Sequence, residues 1–170
     1  PGFVSSQTVS STEARNMARS NRTLTQFAVN KVRQYLLHGP EHFVNEKAGN
    51  TEVFLNQCPN CPRSAVEIKL FGQDILRLIP NPLNKRVIAG IVVSTGNFYD
   101  SKGRPSRTTR ERLNGLLDAL GSAEFIPAGV RVFLREDGSC CVGKNDACKH
   151  FDAGNSEILL LAHPRDLVFS

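Results

Sequence analysis

Cysteines in two separate parts of the chain have the residue types of a zinc site. Cys58 and Cys61 are separated by two residues, a spacing at which two thiolates can bind one tetrahedral ion from a single turn. The second half of the site would come from the C-terminal region, which contains Cys140, Cys141, Cys148 and, close by, His150. The sequence leaves open whether Cys140 or its neighbour Cys141 is the better ligand. Our predicted ligands are Cys58, Cys61, Cys141 and Cys148. An ion that joins such distant segments would be structural, and the alternative is that these residues are free thiols, some of them buried.

Basic side chains are concentrated in a loop and in the helix start that follows it. Free backbone N–H groups at a helix N-terminus and guanidinium groups together form a good phosphate receptor, and threonine hydroxyls add donors. Two aromatic residues just before this loop, Phe98 and Tyr99, are suited to stacking on bases. The predicted nucleic-acid-binding residues are Lys102, Arg104, Arg107, Thr108, Thr109, Arg110 and Arg112. The alternatives are ion pairs with nearby acids such as Glu111 and Asp118, or contacts with another subunit.

Glu67 and Lys69 are spaced as in the E-x-K half of a nuclease motif. That chemistry requires a second carboxylate to hold a divalent metal and a lysine to stabilise the attacked phosphate. No aspartate precedes this pair, since the first in the chain is Asp74. Strand alternation alone explains Glu67 and Lys69 as the solvent face of a strand, so a metal-dependent nuclease is a minor alternative. We find no serine or cysteine nucleophile signature and no glycine-rich phosphate loop.

The arginine-rich segment begins a helix. Thr108 is the predicted N-cap, Glu111 completes a capping box, and Gly121 is the predicted left-handed residue at the C-terminus. One apolar stripe at helical spacing faces the core in this helix, and it consists of Leu113, Leu116, Leu117 and Leu120.

A second helix is predicted from Ser20 to the Gly39-Pro40 pair, preceded by a polar N-terminal arm, residues 1–19. A two-residue turn at Gly72-Gln73 should join two strands as a type II′ hairpin, and Pro80 to Pro82 should end the second of them. The predicted strands are 51–56, 65–71, 74–79, 87–93, 130–134, 157–161 and 167–169. Because these elements show no β-α-β rhythm, we predict one α+β domain, residues 20–170, with an antiparallel or mixed sheet of about six or seven strands and two main helices.

Composition limits the possible partners. The chain has 170 residues, 21 Lys and Arg against 16 Asp and Glu, and a formal net charge of +5, which is compatible with a polyanionic partner. An odd count of five cysteines argues against a disulfide framework. No apolar run approaches the roughly 20 residues that span a bilayer, and no secretory signal is visible, so we expect no membrane partner and an intracellular location.

Three features follow one another in the central part of the chain. Asn50-Thr51 opens a strand, a hairpin rich in Ile and Leu follows, and a loop then leads to the motif Thr108 to Asn114. From Gly49 to Leu134 the chain thereby resembles small uncharacterised proteins of bacteriophages and prophages with a T-T-x-x-R-L-N helix start. The resemblance implies a viral or prophage origin, with the cytoplasm of a bacterial host or the virion as location. It supplies no activity.

These observations favour a non-enzymatic, phage-type accessory protein that binds nucleic acid through the basic segment Arg104 to Arg112. The main alternative is a structural or assembly protein of the virion type. In that case the N-terminal arm and the basic segment would contact other copies of the chain or other viral subunits.

Overall fold

A computed structural model describes residues 11–56, 66–81, 83–95, 106–144, 147–151 and 157–170. Within these ranges the chain forms two helices and nine strands. The helices are α1 (Ser11–His38) and α2 (Arg107–Ser122); the strands are β1 (Glu46–Ala48), β2 (Thr51–Leu55), β3 (Val66–Leu70), β4 (Gln73–Asn81), β5 (Asn84–Ser94), β6 (Arg131–Leu134), β7 (Cys140–Lys144), β8 (Ala147–His150) and β9 (Glu157–Leu161).

The strands form two antiparallel sheets. One has six strands in the order β1-β2-β3-β4-β5-β9, and the other has three strands in the order β6-β7-β8. The predicted α+β class with two main helices is therefore confirmed. Three strands, β1, β7 and β8, were not predicted. Strands β1 and β8 have three or four mostly polar residues without clear alternation, and β7 is buried on both faces, so it shows no alternation either. The segment predicted as a last strand, 167–169, makes an isolated bridge between Leu160 and Phe169.

The core lies between one face of the six-stranded sheet and the two helices. Helix α1 packs on α2 and on β2, while α2 also contacts β4 and β6. A row of directly opposed residues on successive strands supplies the centre of the sheet face, and all of its members are buried: Val53, Ile68, Leu76, Val93 and Ile158. The predicted leucine stripe of α2 is confirmed, because all four leucines are buried.

Helix α1 begins at Ser11, inside the segment that was predicted to be an arm, and it ends at His38 as expected. The extra turns contain good helix formers such as Glu13, Ala14 and Met17, which the polar composition of the segment obscured. Residues 1–10 lie outside the described ranges, so the use of an arm in assembly stays a prediction. Neither helix, over the described residues, is long and apolar enough to cross a membrane.

The hairpin between β3 and β4 differs from the prediction. Leu70 pairs with Gln73, so the two loop residues are Phe71 and Gly72, and both have positive φ, 50° and 78°. Positive φ at both positions is typical of a type I′ turn, and the predicted type II′ turn at Gly72-Gln73 is wrong. Strand β4 also continues through Pro80, because the ladder is irregular there and requires no donor from the proline.

Candidate metal centre and basic helix start

The small sheet brings three metal-binding side chains together. Cys141 lies opposite His150 on neighbouring strands, and Cys148 precedes His150 by two residues on the same face of β8. Donor atoms of Cys141, Cys148 and His150 all lie within 4.8 Å of one another, and the Cys141 Sγ to His150 Nδ1 distance is 3.3 Å. The three side chains could therefore hold a metal ion.

Strand alternation decides between the two adjacent cysteines. Cys140 belongs to the hydrophobic core, where burial raises the pKa of its thiol to about 11. Cys141 has its side chain on the opposite face of β7, toward Cys148 and His150. Cys140 is thus a buried apolar residue, and Cys141 is the one of the two that lies beside the other candidate donors.

Polar groups surround the three donors. The Arg135 guanidinium donates a hydrogen bond from Nη2 to Cys148 Sγ at 2.6 Å. Burial raises the pKa of the Cys141 thiol, and the nearby Arg135 opposes this shift. Asp137 accepts hydrogen bonds from the Ser139 hydroxyl and amide, which lower the pKa of its carboxyl, and the charge of His150 acts in the same direction.

Glycine at position 143 allows the two strands of this site to approach. A Cβ atom there would lie 2.3 Å from the Ala147 carbonyl oxygen and 2.7 Å from Cys148 Cβ. Such contacts require the backbone of β8 to move, so Gly143 sets the position of Cys148 relative to Cys141.

The predicted zinc ligands are therefore only partly brought together. Cys141 and Cys148 are neighbours, while Cys58 and Cys61 lie outside the described residues. His150 was noted near the predicted ligands and left out of them. The alternation of Cys148 and His150 along one strand is the sequence signal that places both on one face.

The start of α2 lies two residues earlier than predicted. Ser106 is the N-cap, and its hydroxyl oxygen accepts a hydrogen bond from the Thr109 amide at 3.2 Å. The predicted N-cap at Thr108 is wrong, because Ser106 offers the same capping chemistry and Thr108 is already helical.

The end of α2 also differs. The helix runs to Ser122, and the residue with positive φ is Glu124, at 64°. Gly121, the predicted left-handed residue, is helical and buried. Its lack of a side chain permits a close approach, since a Cβ atom would lie 3.3 Å from Ala128 Cα.

Arg112, a predicted nucleic-acid ligand, is 0% exposed. Its Nε donates to Thr25 Oγ1 at 2.9 Å, Nη2 donates to Asn21 Oδ1 at 2.7 Å, and Nη1 donates to Asn50 Oδ1 at 3.4 Å and to Thr51 Oγ1. Burial lowers the pKa of Arg112 to about 10, which still leaves it protonated at neutral pH. The side chain joins α2 to α1 and to the β1–β2 turn and is not accessible to a ligand.

Other residues of the T-T-x-x-R-L-N motif also make internal contacts. Thr109 is buried, with its hydroxyl 2.7 Å from that of Ser106, and Leu113 lies in the core. The Asn114 side chain donates to the Val132 carbonyl at 3.0 Å and accepts from the Val132 amide at 2.7 Å, so that it extends the ladder of β6. Most of the motif therefore fastens α2 to its surroundings.

The rest of the predicted basic group lies at the surface or outside the described ranges. The Arg107 side chain is 84% exposed, and its Nε donates to Glu111 at 2.7 Å, as the ion-pair alternative expected. Thr108 and Arg110 are half-buried. Asp118 pairs with Arg131 instead. Lys102, Arg104, Phe98 and Tyr99 are outside the described residues.

The face of the sheet opposite the helices carries the E-x-K pair. Glu67 is only 9% exposed, so its predicted position on a solvated face is wrong. Asp74 lies opposite Lys69 across a register shift, and its Oδ1 atom is buried without a hydrogen-bond partner in the described structure. Burial raises the pKa of Asp74 and the Glu67 carboxylate raises it further, against opposing effects of Lys69 and Arg77. Asp74, which follows the E-x-K pair in sequence, thus supplies the second carboxylate that is missing before the pair.

Comparison of the chain with protein-family models, curated proteins and solved structures finds no match. The resemblance to phage and prophage proteins therefore stays a prediction.

Proposed function

We propose that this protein is a non-enzymatic accessory protein that binds nucleic acid through the exposed start of α2, in a fold that a structural zinc ion stabilises. The observation that carries the proposal is the Arg107 side chain, which projects into solvent at the positive end of the helix. The first turn of α2 contains no acid, and the ion pair of Arg107 with Glu111 in the next turn is exposed, so a phosphate can compete for the guanidinium.

Charge supports the same assignment. The net charge of +5 favours a polyanionic ligand, and Arg107, Thr108 and Arg110 remain at least partly exposed. Because Arg112 and Thr109 are buried, the proposed contact surface is smaller than the sequence suggested. It consists of Arg107, Thr108 and Arg110 together with the preceding basic residues Lys102 and Arg104.

Zinc is the proposed ion, because two thiolates and an imidazole match its preference for sulfur and nitrogen donors. Its proposed role is structural: it would hold β8 on β7 and thereby support the sheet on which α2 packs. Metal analysis of untagged protein tests this part of the proposal, with about one zinc per chain as the expected result.

Nucleic-acid binding is tested with labelled single- and double-stranded oligonucleotides, measured by fluorescence anisotropy at two salt concentrations. The informative variant is Arg107→Ala/Arg110→Ala. We expect weaker binding and, for duplex DNA, a dependence of log affinity on log salt that is shallower by roughly 2, since each lost phosphate contact contributes about 0.9.

The matched control is Arg33→Ala/Arg165→Ala, which removes the same charge from exposed positions away from α2. It should reduce affinity only slightly. Equal affinity of the wild-type protein and the Arg107→Ala/Arg110→Ala variant at both salt concentrations would refute the assignment of this surface.

A second candidate function, a metal-dependent nuclease, is favoured by the position of Asp74 beside the E-x-K pair. The Glu67 carboxylate contributes to the raised pKa of Asp74, and two neighbouring carboxylates can instead share a divalent cation, with Lys69 positioned for the phosphate. We rank it second, because the acids on this face do not form a group of three converging donors among the described residues.

The nuclease candidate is tested by incubating plasmid and single-stranded DNA with the protein and Mg²⁺ or Mn²⁺. Cleavage that Glu67→Gln abolishes and the exposed control Glu124→Gln preserves would support it. Absence of cleavage by the wild-type protein would rule it out.

A further inference from the structure

We infer that the β7–β8 hairpin by itself binds one zinc ion through Cys141 Sγ, Cys148 Sγ and a ring nitrogen of His150, with the fourth coordination position open to solvent. This inference rests on the proposed structural zinc and specifies its ligands, which differ from those predicted from the sequence: the Cys58–Cys61 pair is not required, and His150 is. In the site predicted from the sequence, four cysteines would occupy all four coordination positions and leave none for solvent.

The positions of the donors fit a tetrahedral ion. With Zn–S bonds near 2.3 Å and Zn–N bonds near 2.0–2.1 Å, tetrahedral geometry separates sulfur from nitrogen by about 3.5 Å and the two sulfurs by about 3.8 Å. The Cys141 Sγ to His150 Nδ1 distance is 3.3 Å, and no pair among the three donor atoms exceeds 4.8 Å. Displacements of the donor atoms by at most about 1 Å, which side-chain rotation can supply, complete the site.

Backbone register is what brings these donors together. Cys141 and His150 are directly opposed, and Cys148 faces Gly143, the next residue on the same face of β7. Three donors therefore come from two hydrogen-bonded strands with a short connection, and their positions need no contribution from a distant segment. Ligands held on paired strands keep their geometry better than ligands on loops.

The chemistry of the donors selects the ion. Two sulfurs and one imidazole nitrogen favour zinc over magnesium or calcium, which prefer oxygen ligands. Two thiolates also balance the charge of a divalent cation, so binding creates no buried net charge.

Exposure indicates where the fourth position lies. Cys141 is buried at the base of the site, Cys148 is half-buried, and His150 is exposed. A tetrahedral ion on these three donors therefore has its remaining position toward solvent, where a water molecule is the expected ligand. The Arg135 guanidinium, hydrogen-bonded to Cys148 Sγ, is the group that would orient this ligand.

The experiment measures Zn²⁺ and Co²⁺ binding to the purified, metal-free full chain by competition with a chromophoric chelator and by Co²⁺ absorption. Four proteins are compared with the wild type: His150→Ala, Cys148→Ser, the double variant Cys58→Ser/Cys61→Ser, and the control His42→Ala, which removes another exposed histidine. We expect one ion per wild-type chain. Affinity should fall more than about 100-fold in His150→Ala and Cys148→Ser, a larger loss than orienting groups alone cause. Affinity should be unchanged in the double variant and in the control.

Circular dichroism of each metal-free variant separates loss of a ligand from loss of the fold; because His150 is exposed, His150→Ala should remain folded. Failure of the wild-type chain to bind Zn²⁺ overturns both this inference and the proposed structural zinc. Loss of the ion in Cys58→Ser/Cys61→Ser overturns the inference and leaves a zinc site of the predicted kind. Full affinity in His150→Ala likewise overturns the inference alone.

Discussion

Replacement of Arg112 by methionine should destabilise the protein by about 3 kcal/mol. Methionine fills much of the same space but removes the donors of four hydrogen bonds, to Thr25, Asn21, Asn50 and Thr51. Hydrogen bonds to a charged group contribute about 1.5–3 kcal/mol each, or about 6–12 kcal/mol for the four. Two effects reduce this cost. The variant no longer has to bury a guanidinium, which itself costs several kcal/mol, and the partly exposed asparagines can form hydrogen bonds with water instead. The difference leaves the net loss of about 3 kcal/mol, equivalent to a melting temperature lower by about 6–12 °C.

Urea unfolding followed by circular dichroism measures this change as a shift of the midpoint at constant slope. The matched control is Arg107→Met, which removes an exposed i,i+4 ion pair with Glu111 and should cost at most about 0.5 kcal/mol. Arg112→Lys should be nearly as destabilising as Arg112→Met, because an ammonium cannot reproduce the planar arrangement of donors. If Arg112→Met costs no more than Arg107→Met, the guanidinium does not tie α2 to α1 and the reasoning is refuted.

Two further predictions concern the partly buried polar side chains of Asp74 and Asn114. Asp74→Asn should stabilise the protein at neutral pH. The pKa of Asp74 is raised in the folded state, so the protonated carboxyl favours folding below the unfolded-state pKa of about 3.9. That stabilisation is lost as the pH rises through the folded-state pKa, where the carboxyl becomes charged. The gain should therefore shrink as the pH is lowered from 7.5 to 4, and thermal melts that show a loss of stability or no pH dependence would contradict it. Asn114→Ala should cost about 1–3 kcal/mol, since it leaves the Val132 amide and carbonyl without their side-chain partner. In urea unfolding, a cost as small as that of an exposed control such as Asn30→Ala would argue against this role.

Local patterns predicted much of the fold. Alternation predicted β2, β3 and β9 to within one residue at each end, and the leucine stripe located the buried face of α2. Short strands, turn types and caps were missed, because several nearby residues could play the same role and only the full set of contacts selects one. Ser106 and Thr108 are both good N-caps, for example, and the helix begins at Ser106.

The misassignment of Arg112 had a signal in the sequence. Arg112 lies four residues before Leu116, and Thr109 lies four residues before Leu113, so both extend the apolar stripe toward the helix start. Both residues were predicted to bind nucleic acid because of their polar side chains, although their helical positions place them beside the apolar stripe. Helical position is the better guide in this turn.

By itself, the sequence determined the fold class and most of the helices and strands, because alternation and helical spacing act between neighbours in the chain. Only the tertiary structure decided which polar residues are used internally and which remain available. Arg112 finds its acceptors on α1 and the β1–β2 turn, and Cys141 meets Cys148 and His150 while Cys140 enters the core. Those outcomes depend on packing between segments distant in sequence and on the register of paired strands, neither of which a local pattern contains.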